Sequence, residues 1–103
     1  MSEASTDAVL DTETKERVKT IRAWTVVFFN DDKTPMDFVT AVIMGIFHLS
    51  IDEAEVVTLT VHEQGKAPVG RFSKDIAQTK AFEVMQYAAQ SGFPLTVEAQ
   101  PID

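Results

Sequence analysis

Six consecutive residues most constrain what this chain can fold into: Trp24-Thr25-Val26-Val27-Phe28-Phe29. Every one is aromatic or β-branched, the make-up of a strand buried in a sheet. The next ten, Asn30-Asp31-Asp32-Lys33-Thr34-Pro35-Met36-Asp37-Phe38-Val39, end that pattern and begin another. Apolar residues then recur at helical spacing, at Phe38, Val39, Val42, Ile43, Ile46 and Phe47. The chain must therefore turn within a few polar residues and feed a helix that shares the strand's core. Thr34 is placed to cap that helix. Pro35 suits its first position, where a missing N–H costs nothing, and Asp37 falls at the third. Two carboxylates and an amide are thus held on a short loop between two elements of one core, a favourable place for a binding site. The same residues equally fit a solvated Asx turn, because Asn and Asp favour turns through local hydrogen bonds.

The first helix is expected over 35–48. Gly45 inside it lowers helix propensity by about 1 kcal/mol and is a candidate for a close packing contact. Ser50-Ile51-Asp52-Glu53 is a capping-box pattern, Ser with Glu three residues on, and it opens a second helix over 51–63 that stops at Gln64-Gly65. Alternation at Val56, Thr58 and Thr60 also permits a strand here; the capping box and the terminal Gly decide for helix. Thr58, Val61 and His62 then share one face. A lone His beside apolar residues is more often a packed structural residue than a ligand. Residues 66–72 read as a second strand, with Pro68 near its end or on a sheet edge because it cannot donate to a ladder. Ser73 caps a third helix over 74–90, apolar at Ile76, Ala77, Ala81, Val84, Met85 and Ala88, with Ser91-Gly92 as its stop. Residues 93–99 are the third strand and 100–103 a short tail. The order β-α-α-β-α-β implies an α+β fold: a small two-layer sandwich, three mixed or antiparallel strands covered on one face by three helices.

The other 22 residues, at the N-terminus, differ in kind. They are polar, acidic at Glu3, Asp7, Asp11 and Glu13, then mixed at Lys15, Glu16, Arg17, Lys19 and Arg22. Such a segment buries too little apolar area to offset the entropy of ordering it. The expected organisation is a flexible extension over 1–22 and one core domain over 23–103. Residues 1–13 carry no Lys or Arg and no apolar stretch of signal-peptide length, and no apolar run in the chain approaches the ~20 residues of a transmembrane helix. A cytoplasmic protein is expected.

The formal net charge of −7 disfavours a binder of phosphate backbones and suits cationic partners, such as a basic surface or a free α-amino terminus. With no cysteine, disulfides, thiol catalysis and thiolate metal sites are excluded. Gly-rich nucleotide loops and the Ser-hydrolase elbow do not occur. His48 and His62, the two histidines, lack zinc spacing. Asp31, Asp32 and His62 are metal-ligand types, but no spacing demands a cation. Asp31 and Asp32 are adjacent and diverge on an extended backbone, poor geometry for a two-carboxylate hydrolase. Neither an enzyme nor a cofactor is expected.

Four blocks go beyond pattern: Asn30-Asp31-Asp32-x-Thr34-Pro35-Met36-x-Phe38-Val39, Val61-His62-x-Gln64-Gly65-Lys66, Gly70-x-Phe72 leading into Ala77-x-Thr79-Lys80, and Pro94-Leu95. In this order and at these separations the chain closely resembles the ClpS family from Trp24 to Glu98. These are adaptors that deliver N-end-rule substrates to the ClpA or ClpC type of AAA+ unfoldase of the Clp protease. The resemblance implies recognition of a free N-terminal Phe, Tyr, Trp or Leu of an N-degron substrate. It implies that Asn30, Asp31 and His62 hold the α-amino group, that Asp32 and Thr34 shape the loop and hold the peptide backbone, and that Met36, Val39, Thr58, Val61 and Leu95 wall an apolar pocket. It implies that Asp75 and Lys80 face the N-terminal domain of the unfoldase; the alternative for that pair is an exposed charge pair of little value. The N-terminal extension corresponds by position alone to the family segment needed for delivery.

The chain departs from the family at Thr58, where Met is usual, and less consequentially at Lys33 and Pro68. A shorter, hydroxyl-bearing residue at 58 implies altered selectivity among first residues and suggests a divergent copy. Two other readings compete. One is a non-catalytic interaction domain resembling the C-terminal domain of the acidic ribosomal stalk protein. The other is a regulator that occupies the unfoldase without delivering substrates.

Overall fold

The computed structural model describes residues 22–102. The expected extension over 1–22 lies, but for Arg22, outside the described residues. The elements are β1 (Trp24–Phe29), α1 (Met36–Phe47), α2 (Ile51–Gln64), β2 (Lys66–Phe72), α3 (Lys74–Ser91) and β3 (Thr96–Pro101). The order is the expected β-α-α-β-α-β. The sheet runs β2-β1-β3 with both pairings antiparallel, so the aromatic and β-branched run is the central strand. Pro68 lies on an edge strand, where its missing N–H is tolerated.

Period-two alternation divides β1 between two faces. Val26 and Phe28, both 0% exposed, join Ala67, Val69 and Val97 against Val42 and Ile43 of α1, Ala54 and Val61 of α2, and Ala77 and Val84 of α3. Phe28 meets Phe47 edge-on, 5.7 Å between centroids. Burying a ring of that size contributes on the order of 1.5–3 kcal/mol. Thr25 and Val27 lie on the opposite face, outside this core.

Strand β2 is bulged where it pairs with β1. Val26 pairs with Val69 and Trp24 with Phe72, so Thr25 alone stands against Gly70 and Arg71. Gly70 has φ +79°, and a Cβ on it would overlap the Phe72 ring. Only glycine satisfies both conditions. The Gly70-x-Phe72 pair is therefore one device: the bulge brings the Phe72 ring beneath Gly70 and against Phe47, at 6.0 Å.

Helix α2 has the full capping box: Glu53 N–H donates to Ser50 Oγ at 3.2 Å, and Ser50 N–H donates to Glu53 Oε1 at 3.1 Å. The strand alternative for this segment is not realised.

Four details differ from the sequence expectation. Thr34 does not cap α1; Pro35 stands at the N-cap with no side-chain cap bond, and the Thr34 hydroxyl turns back to Asp31. A Cβ on Gly45 would meet nothing within 4 Å, so Gly45 marks no close approach. Helix α1 ends at Phe47, with His48 in the left-handed region and donating to Met44 O. The third strand begins at Thr96 and runs to Pro101. Residues 93–95 are held by the end of α3 instead: Gly92 N–H donates to Ala89 O and Phe93 N–H to Ala88 O, the Schellman pattern. The Phe93 ring packs on Phe38 at 4.9 Å rather than extending the sheet. No helix among the described residues is long and apolar enough to cross a membrane.

Candidate functional site

The loop after β1 is stitched to the end of α2. Asn30 N–H donates to Gly65 O at 2.9 Å. Gly65 closes α2 at φ +90°, a left-handed conformation that glycine adopts at no cost, and its own N–H donates to Val61 O. The polar loop therefore stands beside the last turn of α2, which carries Val61 and His62.

Asp31 organises the loop. Its Oδ1 accepts from Lys33 N–H and Thr34 N–H, both at 2.8 Å, and its Oδ2 accepts from the Thr34 hydroxyl at 2.7 Å. Partial desolvation raises the Asp31 pKa, but the Thr34 hydroxyl, the two N–H groups and the Lys33 charge together outweigh it, so the carboxyl lies below its usual value. Asp31 is therefore an anion fixed in position. Each carboxylate oxygen accepts about twice, so Oδ2 retains a site for another donor. Asp32 is exposed and makes no side-chain bond among the described residues.

Asn30, Asp31, Thr34 and His62 surround a small cavity whose buried wall is Val39, Thr58, Val61 and Leu95, with Phe29 and Met36 completing it. Of the residues expected in the amine site, the loop and the pocket, the fold brings all but Asp32 to this one place. Phe29 was not expected. As the last residue of the apolar strand it abuts the loop directly, and that adjacency was the available signal.

The cavity measures about 10 Å³, at the threshold for a single water. Its buried walls are 3–6% exposed, whereas Met36 is 41% exposed. The Met36 thioether chain, with three rotatable bonds, is the wall that can move. Thr58 is fixed: its hydroxyl donates to Ala54 O at 2.8 Å and also lies 2.8 Å from Thr40 Oγ1. A hydroxyl has one proton, so Thr40 is the donor in the second bond.

Asp75 and Lys80 are outside this site. Asp75 is exposed in the first turn of α3. Lys80 is half-buried, donates from Nζ to Ile46 O at 2.9 Å, and lies 5.6 Å from the centroids of both Phe47 and Phe72. It satisfies a carbonyl at the C-terminal end of α1, where a cation is favoured. Among the described residues no group of three or more His, Asp or Glu side chains is placed to hold a metal ion.

Comparison with known proteins agrees with this architecture. The curated ATP-dependent Clp protease adapter protein ClpS of Deinococcus radiodurans is 41% identical over 92 residues, covering 87% of this chain and 81% of that protein. The solved structure of Agrobacterium tumefaciens ClpS2 bound to L-phenylalaninamide superposes with a TM-score of 0.76 at 38% identity, covering 79% of this chain and 98% of that one. The family model for the ATP-dependent Clp protease adaptor protein ClpS matches residues 19–98, spanning every loop and helix that builds the cavity, and the chain belongs to the ClpS family of Clp protease adaptors.

Proposed function

We propose that this adaptor recognises the first residue of a substrate protein when that residue is large and hydrophobic, and delivers the substrate to a ClpA- or ClpC-type unfoldase. The observation that carries the reading is a polar rim of acceptors beside an apolar wall, drawn from three separate segments. A free N-terminal residue pairs an ammonium with a side chain at the spacing of one Cα. The phenylalaninamide of the Agrobacterium relative has that chemistry, with an amide where the next peptide bond would be.

An ammonium has three N–H donors and no acceptor. The Asn30 side-chain oxygen, Asp31 Oδ2 and a His62 ring nitrogen supply three acceptors. Thr34 keeps Asp31 oriented and Asp32 borders the peptide backbone. The side chain enters between Met36, Val39, Thr58, Val61 and Leu95 as Met36 swings aside. Burying a Phe or Leu side chain contributes about 1.5–3 kcal/mol, and each charge-assisted bond to the amine about 1.5–3 kcal/mol before costs. Loss of translational freedom and the Met36 rearrangement cut into that sum, so binding of roughly micromolar strength results.

The partner contact is proposed on exposed Asp75 and the outer part of Lys80, and the N-terminal extension acts in delivery. The protein works where its protease works, in the cytoplasm, without a cofactor of its own. Family membership favours this reading over the ribosomal stalk domain.

The direct test is degradation of a Phe-initiated reporter by unfoldase and protease, with and without the adaptor. Faster degradation with the adaptor is expected. Slower degradation of this reporter and of unrelated substrates alike would mean that the protein blocks the unfoldase without delivering.

A further inference from the structure

The face of the sheet turned away from the helices carries a second groove, of about 670 Å³. Thr25 and Val27 form its floor. Lys66, Pro68 and Arg71 of β2 flank it on one side and Gln100 and Ile102 on the other. Two observations mark it as a built surface. Thr25 is 5% exposed, lies on the floor, and its Oγ1 finds no hydrogen-bond partner among the described residues. Buried hydroxyls are ordinarily paired, so this one requires an explanation. The β1–β2 bulge also sets Gly70 and Arg71 opposite Thr25 in the register, and Arg71 lines the groove together with Lys66.

Charge on this face is divided. Lys66 and Arg71 are on the β2 side. Glu98 is on β3, where Gln100 Nε2 donates to its Oε1 at 3.1 Å. An anionic occupant is therefore drawn to the β2 side of the groove and repelled from the β3 side.

We propose that this groove is the seat of the chain's own acidic N-terminal segment, residues 3–13. The segment has Glu3, Asp7, Asp11 and Glu13 for Lys66 and Arg71, an acceptor for the Thr25 hydroxyl, and Val9-Leu10 to cover Val27, Pro68 and Ile102. The geometry of the tether fits. Ala23 is still held to β3, its carbonyl accepting from Ile102 N–H at 2.7 Å, so the preceding chain leaves at the Arg71–Ile102 end of the groove. Residues 14–21 span up to about 26 Å extended, and the six residues of β1 cover about 20 Å, so residues 3–13 reach the whole face. Held by one chain, the segment experiences a high effective concentration, and weak contacts suffice. The N-terminal segment is thereby parked on the sheet, away from the cavity at Asn30 and His62, and is released when an outside partner competes for it. This seat does not depend on what that cavity binds.

The chain has no native cysteine, so a single spin label placed through Ser5→Cys or Thr12→Cys leaves every acidic residue intact. Paramagnetic broadening in the full-length protein is expected at the amides of Thr25, Lys66, Arg71 and Gln100, and not on α1 or α2. It should fade in high salt and in a Lys66→Glu/Arg71→Glu variant whose circular dichroism matches the wild type. Fading in salt alone suffices should that variant misfold. Broadening on the helices, or none at all, overturns the proposal. So does broadening that appears equally when labelled and isotope-enriched molecules are separate chains, which would make the occupant a second copy.

Discussion

The backbone N–H of Asn30 donates to the carbonyl of Gly65 at 2.9 Å, and this bond joins the two halves of the candidate site. Residues 30 and 62 belong to different elements and are far apart along the chain. One bond between a strand end and a helix cap brings the amide, the carboxylate and the imidazole around one cavity. Gly65 contributes its left-handed backbone, which points its carbonyl at the loop.

Replacing Gly65 should therefore weaken peptide binding without touching the pocket wall. Gly65→Ala forces a left-handed alanine at a cost of about 1–2 kcal/mol. Space is not the obstacle, since a Cβ there meets nothing within 4 Å. Thermal denaturation should show that loss, and peptide titration should show reduced affinity for a Phe-initiated peptide.

Gly70→Ala should be worse. It combines the φ +79° penalty with overlap on the Phe72 ring. A loss of about 1–3 kcal/mol is expected from the backbone strain alone, read by chemical denaturation. A Gly70→Ala/Phe72→Leu double variant should recover part of the difference, because the overlap is then relieved.

Asp31 makes the fold sensitive to acid in a defined direction. Its folded pKa is below the unfolded value near 3.8, so the stabilisation is present above that value and is lost as pH falls through the folded pKa. Asp31→Asn should lower stability at neutral pH and flatten the acid limb of a pH–stability profile. A profile parallel to wild type at every pH would mean that the Thr34 and Lys33 bonds contribute nothing.

Thr58 should matter to stability and to selectivity separately. Thr58→Val leaves the Thr40 hydroxyl without its acceptor and should cost about 1 kcal/mol by chemical denaturation. Thr58→Met refills the position with the residue usual in the family. It should change the ranking of Ile and Val against Phe and Leu as first residues; an unchanged ranking in competition binding removes Thr58 as a determinant.

The fold was legible because local signals agreed with one another. The aromatic run Trp24–Phe29 became the central strand, the Ser50–Glu53 box opened α2, and Gly65 and Gly92 closed their helices. Boundaries failed where a side chain had two possible partners. Thr34 was read as a cap, but the Asp31 carboxylate, three residues back and charged, takes its hydroxyl. Phe93 was read as strand, but the Schellman turn and the Phe38 ring hold it. Of the residues read as the amine site, the loop and the apolar pocket, all but Asp32 line one cavity. What periodicity could not foretell were tertiary pairings: Asn30 with Gly65, Thr40 with Thr58, and Lys80 with the end of α1.

The central claim is that a free amine and an apolar side chain are read together by this one cavity. The measurement that tests it most directly is calorimetric titration of a Phe-initiated peptide, its N-acetylated form and an Ala-initiated form, each against wild type and Asp31→Ala. The account predicts that acetylation or the Ala first residue abolishes detectable binding and that Asp31→Ala weakens it roughly 10- to 100-fold, the equivalent of 1.5–3 kcal/mol. Equal binding of the acetylated peptide, or an affinity unaffected by Asp31→Ala, would contradict it.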